Sequence, residues 1–148
     1  RESLETTLLL EGLGIIALHI GPDFSIHLIE SLYPVLRLLG EGEAAVSRWA
    51  WSTLQRFAAA CEYATVEELL AQNVDYLVDK VCMEMRHLQL YPRAPQALVG
   101  ILFYSDVSIL PMLSDAVESI LSGLDQHNSR LTPLLVKALQ AVALLLHR

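Results

Sequence analysis

The sequence predicts an all-α fold: a HEAT-like α-solenoid segment of about three to four helical repeats spanning residues 1–148. Three observations predict it. Apolar residues recur at three- and four-residue steps through nearly every segment. Strand signals are nearly absent, with no long alternating run and no Asn-Gly or Asp-Gly hairpin turn. The segments pair up between breaks at Gly21, Gly40 and Asn128, and helix pairs at a spacing of about forty residues mark HEAT-type arrays. An irregular helical bundle is the alternative that periodicity leaves open.

The first predicted helix runs from Leu4 to Ile20, with Ser3 as its cap and Gly21-Pro22 as its stop. Leu9, Leu13, Ile16, Ala17 and Ile20 form its expected inner stripe. Leu8, Leu10 and Ile15 fall off that stripe, so the helix is apolar on more than one side, as a helix between neighbours is. Gly12 and Gly14 lower helix propensity and point to a close crossing. Asp23 caps a second helix, Phe24 to Leu39, whose stripe is Phe24, Leu28, Leu32, Val35, Leu36 and Leu39. Pro34 lies inside it and should kink it. The turn Gly40-Glu41-Gly42 leads to a third helix, Glu43 to Cys61, with Ala50, Leu54, Phe57, Ala58 and Cys61 on one face.

Thr65 and Glu68 form a capping box for a short helix, Val66 to Gln72. Asn73 is placed to cap the next helix, which runs to Leu88. Its stripe is Leu77, Val78, Val81, Met85 and Leu88. Two prolines make Tyr91 to Pro95 a loop, and a helix follows from Pro95 to Tyr104. Ser105 or Asp106 caps the next helix, with Pro111 in its first turn and Ile109, Met112, Leu113, Val117, Ile120, Leu121 and Leu124 inward. His127 to Ser129 is a polar break. Thr132-Pro133 opens the last helix, with Leu135, Ala138, Leu139, Val142 and Leu146 inward.

Composition limits function. Hydrophobic residues make up 53% and charged ones 18%, against roughly 45–50% and 25% in typical domains. That excess of apolar surface calls for cover by neighbouring parts of a larger protein or by partner chains. The start at Arg1 and the end after Ala143-Leu144-Leu145-Leu146 add the expectation of a segment cut from a longer solenoid. A net charge of −7 with scattered cations argues against nucleic-acid binding. No uninterrupted apolar run reaches the length of a membrane span, since Leu8 to Ile20 contains Glu11, Gly12, Gly14 and His19. Cys61 and Cys82 sit in apolar patterns and read as reduced, buried thiols of an intracellular protein.

No catalytic, cofactor-binding or metal-binding residue emerges. His19, His27, His87, His127 and His147 lack a second ligand at helical spacing. Gly12-Leu13-Gly14 lies inside an apolar helix and is no phosphate loop. Glu67-Glu68 suits a helix start, and Glu84-Met85-Arg86-His87 reads as a solvated or partner-facing charged face. An enzyme is not expected.

Asn73-Val74-Asp75-Tyr76-Leu77-Val78, followed by Met85-Arg86-His87-Leu88, is more distinctive. Together with the run from Tyr91 to Asp106 and Ile109-Leu110-Pro111-Met112, it resembles the Tel-two-interacting protein one family. Members of that family are the HEAT-repeat scaffold subunits of the Triple T (TTT) complex. The resemblance covers most of Val66 to Leu124. It implies a large α-solenoid that binds two other helical-repeat subunits, the Tel-two and Tti-two proteins. It further implies action with heat-shock chaperone machinery in maturing and stabilising phosphatidylinositol-3-kinase-related kinases, in cytoplasm and nucleus. No nucleic acid, membrane, cofactor or small-molecule substrate is implied.

Six residues are candidate partner contacts. Trp49 and Trp51 lie about 200° apart on a helix, so both cannot enter one core. Asp75, Tyr76, Arg86 and His87 are polar or amphipathic on an otherwise apolar helix. Plainer roles exist: a first-turn charge for Asp75, a core-edge ring for Tyr76, an intramolecular ion pair for Arg86. Two rival functions remain: a general transport or trafficking adaptor built from helical repeats, and a bundle with an enclosed small-molecule site.

Overall fold

A computed structural model describes residues 2–41, 43–125 and 132–147. Within them the chain forms α1 (Glu2–Ile20), a 3-10 turn (Gly21–His27), α2 (Leu28–Leu39), α3 (Ala44–Ala60), α4 (Val66–Gln72) and α5 (Val74–Met85). There follow α6 (Ala94–Phe103), a second 3-10 turn (Val107–Leu113), α7 (Ser114–Asp125) and α8 (Thr132–Leu146). No strand occurs among the described residues. The fold is the all-α helical-repeat type that the periodicity predicts. The expected turn residue Gly42 and the polar break His127 to Ser129 lie outside the described residues.

Each main helix packs on the next: α1 on α3, α3 on α2, α2 on α6 and α6 on α8. A second group flanks this row, with α5 on α6 and α7, and α7 on α8. Leu28, Leu32, Leu36, Leu54, Phe57, Leu98, Ile101 and Leu102 are fully buried between them. Each such side chain contributes about 1.5–3 kcal/mol relative to exposure.

The α2–α6 crossing is the tightest. A methyl at Gly40 would overlap the Gln96 carbonyl oxygen and lie 2.7 Å from the Gly100 nitrogen. A methyl at Gly100 would overlap the Leu36 carbonyl oxygen. The two backbones therefore touch, which only glycine allows at both positions. Other helices satisfy the open carbonyls at this end of α2. Ser47 Oγ donates to Leu39 O at 2.9 Å, and Lys137 Nζ reaches Gly40 O at 3.5 Å. The α1–α3 contact works similarly. Thr53 Oγ1, buried, lies 2.9 Å from Leu10 O, and Arg56 Nη1 lies 3.4 Å from Glu11 O. Gly14 makes room for the Arg56 side chain, whereas nothing lies near Gly12.

Several expectations are corrected. The buried face of α1 is Leu10, Gly14 and Ala17, while Leu9 and Ile16 are exposed at 74% and 54%. Periodicity cannot choose a face on a helix apolar all round; the polar contacts from Thr53 and Arg56 do. Ser3 lies within α1 and does not cap it. Asp23 caps no helix but lies inside a 3-10 turn that starts at Gly21, and α2 begins only at Leu28. Asn73 does not cap α5: its Nδ2 donates to Leu69 O at 2.7 Å and so closes α4. Asp106 gives no side-chain cap, and Pro111 lies in a 3-10 turn ahead of α7, where a missing amide disrupts less. In α8 Leu145 is buried with Leu135, Ala138 and Val142, and Leu146 is exposed.

Two helical runs, Ser3–Leu39 and Val107–Leu124, reach the length and mean hydropathy of a membrane span. The expectation from uninterrupted apolar runs missed this, because averaging tolerates Glu11 and Glu118. Each run contains a 3-10 segment and sends side chains such as Leu32 or Ile120 into the shared core.

Substitution separates the two kinds of glycine. Gly40→Ala or Gly100→Ala is expected to destabilise by about 3 kcal/mol or more through backbone overlap. Gly12→Ala should stabilise by about 0.5–1 kcal/mol through helix propensity. Denaturant unfolding checks both signs.

Candidate interaction surfaces

Arg86 and His87 lie immediately beyond α5, held by Arg86 N–H to Cys82 O at 3.2 Å and His87 N–H to Glu84 O at 3.0 Å. They border an open groove of about 780 Å3 between this turn and α7, with Leu88, Asp115, Glu118 and Ser119. Arg86 Nη1 faces Asp115 Oδ2 at 3.4 Å. Both side chains are more than half exposed, at 53% and 59%, so the pair adds only about 0.2–1 kcal/mol. Arg86 thus orders the rim of the groove while staying accessible.

Asp75 and Tyr76 sit at the opposite end of α5, ~16 Å from Arg86 at 1.5 Å rise per residue. Asp75 is exposed in the first turn. Tyr76 is half-buried, and its hydroxyl donates to Leu28 O at 3.2 Å, which ties α5 to the start of α2. Burial, with a smaller contribution from Tyr63, pushes the Tyr76 pKa up to about 12. Trp49 and Trp51 are both half-buried against the core. Trp51 stacks on Tyr104 with ring centroids 4.2 Å apart and planes at 21°. The six candidates therefore fall into three places, and only Arg86 and His87 share a groove.

Glu84 is the residue the sequence misplaced. It is buried, not part of a charged face, and it accepts from the Tyr33 hydroxyl at 2.8 Å. Lys80 Nζ stands 4.7 Å above the Tyr33 ring. Burial, then the Glu84 hydrogen bond, raises the Tyr33 pKa strongly. The signal was present: position 84 lies three residues after Val81 and seven after Leu77, in register with the apolar stripe. Among the described residues no group of three or more His, Cys, Asp or Glu side chains could hold a metal ion. Cys61 and Cys82 are free thiols, and burial raises the pKa of both.

The sequence profile of the family described as TELO2-interacting protein 1 matches residues 32–121, from within α2 to within α7. The chain belongs to the TELO2-interacting protein 1 family. It is 39% identical over 133 residues to the mouse TELO2-interacting protein 1 homolog, covering 90% of this chain. The human homolog is 38% identical over the same share. The chain spans 12% of the length of each of these relatives. No solved structure matches. Membership reaches further upstream than the Val66 boundary of the resemblance, because it includes Tyr33, Gly40 and the tryptophans. Members of the family are named for interacting with TELO2.

Tyr33→Phe leaves the buried Glu84 without its donor and is expected to destabilise by about 1–3 kcal/mol. Arg86→Ala should change stability by less than about 1 kcal/mol. Tyr33 and Tyr76 both have folded pKa values above the ordinary 10. Their contribution is therefore full below about pH 10 and declines as pH rises above it, when the unfolded tyrosines ionise first. Unfolding free energies measured from pH 8 to 11 should fall at the alkaline end, and fall less steeply in Tyr33→Phe.

Proposed function

We propose that this chain is a non-enzymatic scaffold segment of the TTT co-chaperone complex. It holds TELO2 and the Tti-two protein and so supports the maturation and stability of phosphatidylinositol-3-kinase-related kinases. Membership of the TELO2-interacting protein 1 family carries this reading. The surface supports it. Leu4, Leu8, Leu9, Ile15, Ile16 and Leu18 are exposed along α1, an apolar face suited to stacking against further helices. The Arg86–His87 groove is open, charged on both sides and suited to a protein contact. Heat-shock chaperones and the kinases enter through the assembled complex, in cytoplasm and nucleus.

Co-isolation of the full-length protein with identification by mass spectrometry tests the proposal. TELO2 is expected in near-equal amount, and depletion of the protein should lower kinase levels several-fold. Arg86→Glu in the full-length protein should weaken TELO2 capture at unchanged abundance. Recovery of vesicle-coat components without TELO2 would contradict the scaffold reading and support a trafficking adaptor.

A further inference from the structure

Two adjoining hollows lie where α3, α4 and the end of α6 meet. The larger, about 650 Å3, has an apolar floor of Leu70, Val74, Ile109 and Met112 and a wall of Phe103 and Tyr104. The smaller, about 300 Å3, is lined by Trp51, Tyr63 and Val66. Glu67 borders both, and the stacked rings of Trp51 and Tyr104 line one hollow each, so the two adjoin as a trough divided by that stack. Phe103 and Met112 remain exposed at 44% and 41%.

Its charge is one-sided. Glu67, Glu68 and Asp106 line the trough, and no Lys, Arg or His does. Helix ends add to this. α3 ends at Ala60 and α6 at Phe103, and both bring C-terminal, partly negative ends to the site. The opposite-signed start of α4 is already occupied: Thr65 Oγ1 accepts from Glu68 N–H at 3.1 Å, and Glu68 Oε2 accepts from Ala64 N–H at 3.0 Å.

We propose that this trough docks a short basic, apolar peptide segment of a partner protein. Bulky side chains of the segment sit on Leu70, Val74 and Met112, and its Lys or Arg residues face Glu67 and Asp106. Trp51 and Tyr104 are each only half-buried, so an Arg guanidinium can also reach their rings. Phosphate-bearing ligands are repelled by the same carboxylates. A second copy of this chain is a poor occupant, since its net charge is −7 and its apolar α1 face carries Glu5 and Glu11. The inference goes beyond the scaffold reading and stands if that reading fails.

The test uses the full-length protein and a short fluorescein-labelled peptide of Leu, Phe and Lys, read by fluorescence anisotropy. The comparison probe has every Lys replaced by Glu. The Lys peptide should bind and weaken as salt is raised, and the Glu peptide should not bind. Glu67→Lys with Asp106→Lys should lower affinity at least ~10-fold, the scale expected from reversing close charge pairs, with only a small Tm loss from placing Lys in the first turn of α4. Glu5→Lys with Glu30→Lys makes the same net-charge change elsewhere and should lower it less than about twofold. Met112→Ala should weaken binding without altering charge. Equal binding of the two peptides, equal losses in the two double variants, or self-association that excludes the Lys peptide would each overturn the proposal.

Discussion

The backbone contact between α2 and α6 sets the geometry of everything else. Helices separated by ordinary side chains stand 8–10 Å apart. Gly40 and Gly100 remove that spacing and bring the Leu36 and Gln96 carbonyls against the facing helix. Leu32 and Leu36 of α2 and Leu98 and Leu102 of α6 are fully buried in the core these helices share. Ser47 from α3 and Lys137 from α8 close the carbonyls left at the end of α2, so two more helices are fixed to the same point. The α5 helix is attached through Tyr33–Glu84 and Tyr76–Leu28, both directed at α2.

The surfaces follow from that arrangement. α1 packs on the row mainly through α3 and leaves most of its apolar side uncovered. The end of α5 and the start of α7 diverge around the Arg86–Asp115 pair and leave a charged groove. On another side, the end of α6 places Tyr104 against Trp51 and opens the acidic trough. These are an apolar face, a mixed-charge groove and an acidic apolar trough. Three chemically distinct surfaces thus surround one shared core.

The helix count and the inner faces of α2, α3 and α5 were legible because their apolar stripes are narrow. Leu28, Leu32, Val35, Leu36 and Leu39 could face only one way, and all are buried. The Thr65–Glu68 capping box was legible because its chemistry is local. What failed depended partly on distant partners and partly on local choices that residue type does not settle. The face of α1 was misjudged because Thr53 and Arg56, some forty residues away, choose it. Glu84 was misread because its donor, Tyr33, lies 51 residues earlier. Asn73 bonded backward to Leu69, not forward, a choice its residue type does not settle. The turn after α3 was invisible: Glu62 adopts φ 65°, and its N–H and that of Tyr63 bond to Ala59 O and Ala58 O, a closure usually marked by glycine. Of the candidate site residues, Arg86 and His87 border an accessible groove that the sequence did not reveal. Nor could the sequence show that the Tyr76 hydroxyl is spent on α2, or that Tyr104 completes a stack with Trp51.

Peptide-resolved hydrogen exchange on the full-length protein tests most directly whether the α2–α6 contact organises this region. Amides of α2 and α6 should be the slowest to exchange here and open together, with α1 and α8 opening earlier. Faster exchange in α2 and α6 than in α1 or α8, or separate opening of α2 and α6, would contradict it.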